Sequence, residues 1–269
     1  MTQSSDLFRP ETLVAVDAVG RALELARRRV GAEDITSKGA RDVVTATDVA
    51  VEDAVRGIVS DALGFSVIGE ERGGEAPADA SPYWLLDPIC GTLNFASGIP
   101  LYCVNLALVE GDQITVAVVG DPSTDEIHVA ERGRGAWALK GGARRQLITS
   151  DENRTIVIED GKSKGARREH AAQFTAGAIR ADRWDFRSLG TTLVLPYLAA
   201  GRISAYVVFC VSAIHAGAGS LLVTEAGGTL SDIDGRPWTI HSDSLVASAT
   251  PDLHGKLLDL ARAALDLSL

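Results

Sequence analysis

Three short segments place acidic residues where a predicted strand ends or a predicted helix begins. They are VTATD with Asp48, VIGEE with Glu70 and Glu71, and WLLDPICGT with Asp87. Carboxylate oxygens that converge from separate segments are the ligands that hard cations such as Mg2+ require. A single acid after a strand is more commonly a turn former or a helix cap. Taken as an ordered set, the three segments favour a cation site.

The third segment also carries a thiol. Pro88 and Gly91 predict that the chain turns there from a buried strand into a helix. Gly91 and Thr92 would then offer free backbone N–H groups to a phosphate or another anion. Cys90 lies within the predicted turn, beside a helix N-terminus, which is a position that stabilises a thiolate.

The composition limits the partners. The chain has 269 residues, of which 46% are hydrophobic, and it can bury its own core. A formal charge of -10 disfavours binding to nucleic acid or anionic lipid. No apolar run approaches the roughly 20 residues that span a bilayer, and the first residues show no secretory signal. Three dispersed cysteines indicate a reducing compartment. We expect a cytoplasmic protein that acts on a small molecule.

The elements that must position these residues alternate along the chain. Apolar periodicity predicts a helix over residues 13–29 and a second helix from Asp48, capped by Thr47 or Asp48. Strand-like runs separated by short gaps predict an antiparallel meander between residues 83 and 139, with the first strand ending at Leu86. Strands and helices alternate from residue 155 onward. Helices are expected over 167–176, 189–200 and 215–226.

The chain is predicted to form one α+β domain with layered sheets. Its two halves, 1–145 and 146–269, meet at a polar, Gly-containing seam. Cys103 and Cys210 lie in apolar runs and are expected in the core. Four histidines lie among polar residues and are expected to face solvent: His128, His170, His241 and His254.

Six segments occur in the order and approximate spacing found in a known family. They are VVTATDVAVED, VIGEER, WLLDPICGTLNFASGIP, GRGAWALKGG, RSLGTTLVLPYLAAGRISAYV and HAGAGSLLVTEAGG. In these segments the chain resembles the inositol monophosphatase family, which belongs to a superfamily of Mg2+-dependent, lithium-sensitive phosphatases. The resemblance implies an αβαβα sandwich like that of inositol monophosphatase and fructose-1,6-bisphosphatase. It also implies a homodimer.

The resemblance assigns metal ligands position by position. It implies that Glu70 binds one metal ion, that Asp87 bridges two, and that Ile89 contributes its backbone carbonyl. Thr92 and Asp48 match the pair that orients the attacking water.

The anion-binding residues also follow from this match. The amides of Gly91 and Thr92 correspond to those that hold the phosphate. Lys38 precedes the VTATD segment and is a candidate to attract an anionic substrate, although ordinary surface charge explains it equally well. Arg187 lies on the substrate side of the cleft by resemblance only.

Two acids of the family pattern are replaced. Cys90 occupies the position of the second acid in the family's DPxDGT motif, and Ile214 and His215 occupy that of its WD pair. Both missing acids are ligands of the same second metal ion in the family. A substrate-contacting acid falls on Val208, which argues against inositol phosphate.

The replacements leave several interpretations open. Cys90 and His215 could form an activated nucleophile or an acid–base pair for cyclisation, isomerisation or elimination. They could instead bind a softer ion such as Zn2+ together with Asp87. They could also be a buried filler and a helix cap. Of the corresponding functions, the sequence favours a non-hydrolytic enzyme. The alternatives are a phosphomonoesterase with Mg2+ at one remaining site and a silent binding protein. The cofactor is accordingly none, Mg2+ or a softer ion.

Overall fold

The computed structural model describes residues 8–31, 36–39 and 42–266. Its helices are α1 (Pro10–Arg27), α2 (Ala46–Leu63), α3 (Thr92–Ala96), α4 (Gly165–Ala181), α5 (Val194–Ala199), α6 (Ala213–Glu225) and α7 (Pro251–Asp266). Its strands are β1 (Thr36–Gly39), β2 (Asp42–Val44), β3 (Ser66–Gly69), β4 (Tyr83–Cys90), β5 (Cys103–Glu110), β6 (Gln113–Asp121), β7 (Glu126–Glu131), β8 (Ala136–Lys140), β9 (Ala143–Gln146), β10 (Thr155–Glu159), β11 (Asp185–Arg187), β12 (Ala205–Val208), β13 (Thr229–Ser231) and β14 (Leu245–Ser248). Over these residues, the structure contains no helix with the length and apolar character needed to cross a bilayer.

Helices and sheets stack in five layers. Helices α1 and α2 pack on one face of a seven-stranded sheet with the order β3-β4-β5-β6-β7-β8-β9. Helices α5 and α6 fill the space between this sheet and a five-stranded sheet with the order β11-β10-β12-β14-β13. Helices α4 and α7 cover the outer face of the second sheet. The predicted αβαβα architecture and the antiparallel meander are confirmed.

Strand β4 carries the residues of most interest and is longer than predicted. Seven of its eight residues are buried, because helices cover both faces of the sheet. The prediction that the strand ends at Leu86 was wrong. Its pairing with β5 joins Asp87 to Asn105, shifts register across Pro88, and resumes with Cys90 opposite Cys103. A bulge of this kind accommodates a proline within a paired strand.

Helix α2 begins two residues earlier than predicted. Its N-cap is Thr45, so the expected caps Thr47 and Asp48 were wrong. Thr45 accepts a hydrogen bond from the amide of Asp48, and the Asp48 carboxylate accepts one from the amide of Thr45. This reciprocal capping box fixes the first turn. It also directs the Asp48 carboxylate into the protein, where it is fully buried.

Several smaller expectations were also wrong. The predicted helix over 189–200 is formed only at Val194–Ala199. Cys210 is exposed, not in the core, whereas Cys103 is buried as expected. Three of the four histidines are buried, because each faces a specific polar partner: His170 faces the carbonyl of Ala261, His254 faces Ser231 and Ser248, and His128 faces Glu126.

Candidate active site

A buried carboxylate and a histidine meet at the end of β4. Asp87 is 0% exposed, and its Oδ2 lies 2.7 Å from Nδ1 of His215 in the first turn of α6. The side chain of His215 remains 34% exposed and forms the solvent edge of the site. The other oxygen, Oδ1 of Asp87, is buried and has no hydrogen-bond partner among the residues that the structure describes. One half of this carboxylate is therefore uncompensated.

Cys90 lies beside this pair. One ligand atom from each of Asp87, Cys90 and His215 lies within 4.8 Å of the other two. The Cys90 sulfur accepts hydrogen bonds from Oγ1 of Thr192 at 2.8 Å and from the amide of Thr192 at 3.3 Å. Sequence reasoning singled out Cys90 and His215 but missed Thr192, which comes from a distant loop.

The two titratable side chains beside Asp87, Cys90 and His215, both have shifted pKa values. Contact with Cys103 and burial raise the pKa of the Cys90 thiol well above its ordinary value. This is a correction, because the position near a helix N-terminus predicted a stabilised thiolate. Burial lowers the pKa of His215, but its hydrogen bonds with Asp87 and Cys90 outweigh burial and raise it overall.

Glu70 approaches the same point from the loop after β3. Its Oε2 lies 4.0 Å from Nδ1 of His215, and its amide donates to the carbonyl of Leu86. Glu52 of α2 holds this loop, because its buried carboxylate accepts from the amides of Glu71 and Arg72. Sequence reasoning missed Glu52.

A signal for Glu52 was present in the periodicity of α2. Asp48, Glu52, Val55 and Val59 follow one another at helical spacing, and all four are buried. An acid on the apolar face of an amphipathic helix needs internal partners, so this spacing predicts a buried, hydrogen-bonded carboxylate.

A second group of polar atoms surrounds Thr92. Its hydroxyl lies 3.1 Å from Oδ1 of Asp48 and 3.1 Å from the backbone carbonyl of Ile89. The other Asp48 oxygen accepts from the hydroxyl and amide of Thr45. Burial raises the pKa of Asp48, and the hydrogen bonds from Thr45 and Thr92 oppose that increase. Two of the predicted catalytic residues, Asp48 and Thr92, are thus in direct contact.

Gly91 joins the two groups. Its φ of 104° is in the left-handed region, and a Cβ here would lie 2.9 Å from the carbonyl of Leu101 and 3.1 Å from Cβ of Thr191. Only glycine fits. Arg187 is exposed at the end of β11, just before the loop that packs on Gly91. The side chain of Lys38 lies outside the described residues, so its predicted role stays a prediction.

The donor set fits a divalent cation. A buried carboxylate oxygen without a partner is costly unless a cation or hydrogen-bond donor meets it. Asp87 and Glu70 supply carboxylate oxygens, which suit Mg2+, and the Ile89 carbonyl is a third oxygen ligand that the resemblance implies. Cys90 and His215 supply sulfur and nitrogen, from which Mg2+ gains little. The site is therefore mixed, with an oxygen side and a sulfur–nitrogen side.

Comparison with known proteins agrees with this fold. The family model described as "Inositol monophosphatase family" matches residues 9–266. An inositol-1-monophosphatase of Mesorhizobium japonicum is 34% identical over 235 residues, which cover 85% of this chain and 86% of that protein. The Nus factor SuhB of Haemophilus influenzae is 30% identical over 237 residues, which cover 87% of this chain and 88% of that protein.

Solved structures show the same relationship. The extragenic suppressor protein suhB of Bartonella henselae superposes with a TM-score of 0.85 at 27% identity, covering 93% of this chain and 97% of that one. An IMPase of Thermotoga maritima has the same fold, with a TM-score of 0.81 at 24% identity and coverage of 94% and 97%. The chain therefore belongs to the inositol monophosphatase family.

Proposed function

We propose that the protein is a divalent-cation-dependent phosphomonoesterase that acts on a small phosphorylated metabolite. The observation that carries this proposal is the pairing of Thr92 with Asp48 beside Asp87, a buried carboxylate whose Oδ1 has no hydrogen-bond partner in the described part of the chain. Hydrolysis needs a group that orients water and a positive charge that offsets the phosphate. This cleft supplies the first and has the ligands for the second.

The oxygen side of the site would hold the cation. Glu70, Asp87 and the carbonyl of Ile89 are its proposed ligands. When bound, a divalent cation supplies Lewis-acid stabilisation of phosphoryl charge and lowers the pKa of bound water. The Ile89 carbonyl lies 3.1 Å from the Thr92 hydroxyl, and when the Thr92 proton is directed to Asp48 the lone pairs of this carbonyl are available for this purpose.

Thr92 and Asp48 would position the attacking water. The Thr92 hydroxyl can donate its proton to Oδ1 of Asp48, which leaves the Thr92 oxygen free to accept from a water molecule. Thr45 fixes the other oxygen of Asp48, so the carboxylate cannot rotate away. The raised pKa makes Asp48 a better proton acceptor than an exposed aspartate.

The substrate's phosphate would contact the amides of Gly91 and Thr92, with Lys38 and Arg187 as further candidate partners. These amides belong to the N-cap and the first residue of α3 and have no carbonyl four residues earlier within the helix. Val208 is buried in β12, so this position offers no polar contact to an inositol ring. We therefore favour a sugar or polyol phosphate other than inositol phosphate. A homodimer stays a prediction.

The alternative of covalent chemistry at Cys90 has less support. A nucleophilic cysteine needs a lowered pKa, whereas the pKa of the Cys90 thiol is raised. The relatives named inositol-1-monophosphatase also point to a hydrolase. We therefore do not favour a cyclase or an isomerase.

Phosphate release from a panel of sugar and polyol phosphates tests the proposal. The assay is run with Mg2+, Mn2+ or Zn2+, and with a chelator. We expect release from at least one substrate, dependent on the cation and lost in Asp48→Asn. Tight binding of the same phosphates without any release under all conditions would indicate a silent binding protein.

A further inference from the structure

We propose that Asp87, Cys90 and His215 form a site for a borderline or soft divalent cation, with Zn2+ as the best fit. The site shares Asp87 with the oxygen side of the cleft. It is defined by the sulfur and the imidazole, which no Mg2+ site needs. This inference does not depend on the phosphomonoesterase proposal, because it concerns which cation binds and not which substrate reacts.

The geometry suits one ion. The three ligand atoms lie within 4.8 Å of one another. A sulfur and a nitrogen bonded to one tetrahedral Zn2+, at about 2.3 and 2.0 Å, are about 3.6 Å apart. Movements of about an ångström, which side-chain rotation supplies, would bring the ligands to bonding distance. Three protein ligands leave the fourth position for water or a substrate oxygen, as in catalytic zinc sites.

The surroundings of Cys90 suit a metal-bound thiolate. Nδ2 of Asn105 donates to Oγ1 of Thr192 at 3.0 Å, so the Thr192 oxygen accepts there and its proton is directed to the Cys90 sulfur. The Thr192 amide is a second donor to the same sulfur. Donors aimed at a sulfur stabilise its negative form, and such outer contacts orient metal ligands.

The charges also balance. Asp87 and a Cys90 thiolate carry one negative charge each, His215 binds as a neutral imidazole, and Zn2+ neutralises the set. Binding releases the thiol proton of Cys90 and the proton shared by His215 and Asp87 to solvent, because coordination deprotonates a thiol. Oδ1 of Asp87, in a side chain that is 0% exposed, has no hydrogen-bond partner among the described residues, so it offers the ion a further buried ligand atom.

Co2+ is the probe for this site, because a cobalt–thiolate bond gives a near-ultraviolet charge-transfer band that oxygen and nitrogen ligands do not give. Metal-free protein is titrated with Co2+ under reducing conditions, and Zn2+ and Mg2+ are then added as competitors. We expect one equivalent of Co2+ to produce the band, Zn2+ to remove it, and a hundredfold excess of Mg2+ to leave it unchanged.

Matched variants identify the ligand. Cys90→Ser should abolish the band and reduce Zn2+ affinity more than about hundredfold, since even outer contacts are worth roughly 10–100-fold. Cys103→Ser and Cys210→Ser replace the other two thiols and should keep the band. Thr192→Val removes a donor to the sulfur and should weaken Zn2+ binding about tenfold. Thr191→Val should not, because Thr191 donates to the Cys90 carbonyl instead.

Several results would overturn the inference. They are a Co2+ complex without the band, a band that persists in Cys90→Ser, and displacement of Co2+ by Mg2+ at equal concentration. Circular dichroism confirms that each variant is folded, and Cys90→Ala supplies a second test if Cys90→Ser does not fold. Absence of phosphatase activity alongside the band would refute the proposed function and leave this site intact.

Discussion

Two fully buried carboxylates, Glu52 and Asp87, lie near the same cleft and have opposite surroundings. Glu52 is paired on both oxygens: Oε1 accepts from Arg56 at 2.8 Å and from the amide of Arg72 at 2.9 Å, and Oε2 accepts from the amide of Glu71 at 2.7 Å. Asp87 faces His215 with one oxygen, and the other has no hydrogen-bond partner among the described residues. Both side chains are 0% exposed.

The difference separates a structural acid from a binding acid. Hydrogen-bond donors of the protein satisfy both carboxylate oxygens of Glu52. These bonds join α2 to the loop that carries Glu70. A Cβ on Gly69 would lie only 2.0 Å from Oε1 of Glu52, so the glycine is part of the same arrangement. Asp87 obtains no such completion from the described residues. A buried carboxylate oxygen without a hydrogen-bond donor is costly, and a bound cation removes that cost.

The largest effect is expected from Asp87→Asn. This change removes the shared ligand, and phosphate release should fall about hundredfold to thousandfold, as for other positioned electrostatic groups. The free energy of unfolding of the metal-free protein should fall little, because asparagine keeps an oxygen that can face Nδ1 of His215 and removes the charge from a carboxylate with one unsatisfied oxygen. Assays of phosphate release and urea unfolding measure both quantities. A large loss of stability would place Asp87 in the same class as Glu52.

Thr92→Val should have the next largest effect. It removes the hydroxyl that links water to Asp48 and should lower kcat about hundredfold, the lower end for general acid–base catalysis. KM should change little, because the backbone amides remain. Thr92→Ser keeps the hydroxyl and serves as the control. Equal activity in the valine and serine variants would contradict the water-positioning role.

Glu52→Gln should mainly affect stability. The substitution removes the negative charge that Arg56 faces. It also places the side-chain NH2 group of glutamine against a backbone N–H group of residue 71 or 72, where a carboxylate oxygen had accepted a hydrogen bond. The free energy of unfolding should fall by about 2 kcal/mol, as for hydrogen bonds to charged groups. Urea unfolding measures this change. Asp53→Asn is the control, because its pair with Arg72 is exposed and should contribute little.

Thr45→Val should produce the smallest effect, a shift in pH dependence. Thr45 donates to Asp48 at 2.5 Å and lowers its pKa against burial, so loss of the hydroxyl should raise that pKa further. The base acts when ionised, and activity falls as pH drops through its pKa. The acid limb of log kcat/KM should therefore move to higher pH. Thr45→Ser should leave it in place, and an unmoved limb in Thr45→Val would contradict the assignment.

Apolar periodicity and turn residues predict most elements and the presence of layered sheets, whereas the order of the layers is what the family resemblance implies. The family match also singles out Asp48, Glu70, Asp87, Cys90, Thr92 and His215. His215 is found because it occupies a position of the family's WD pair. The sequence does not predict that β4 runs through Pro88 to Cys90, because the register shift that permits it depends on β5. The local sequence pattern does not reveal this pairing, so it predicts that the strand ends at Leu86.

The remaining errors involve partners that are distant in sequence. His128, His170 and His254 are among polar residues in sequence, yet all three are buried. His170 and His254 meet hydrogen-bond partners there, and His128 lies 3.5 Å from Glu126. Thr192 reaches Cys90 across 102 positions. The raised pKa of Cys90 arises from Cys103 and burial, neither of which the nearby glycine and threonine reveal.

Metal analysis of the protein as purified tests the central claim most directly, namely that Asp87 is a cation ligand. We expect the wild-type protein to contain, or to take up in titration, at least one equivalent of a divalent cation, and Asp87→Asn to bind much less. Glu52→Gln should keep its metal. A wild-type protein that binds no Mg2+, Mn2+ or Zn2+ at millimolar concentration would contradict the account.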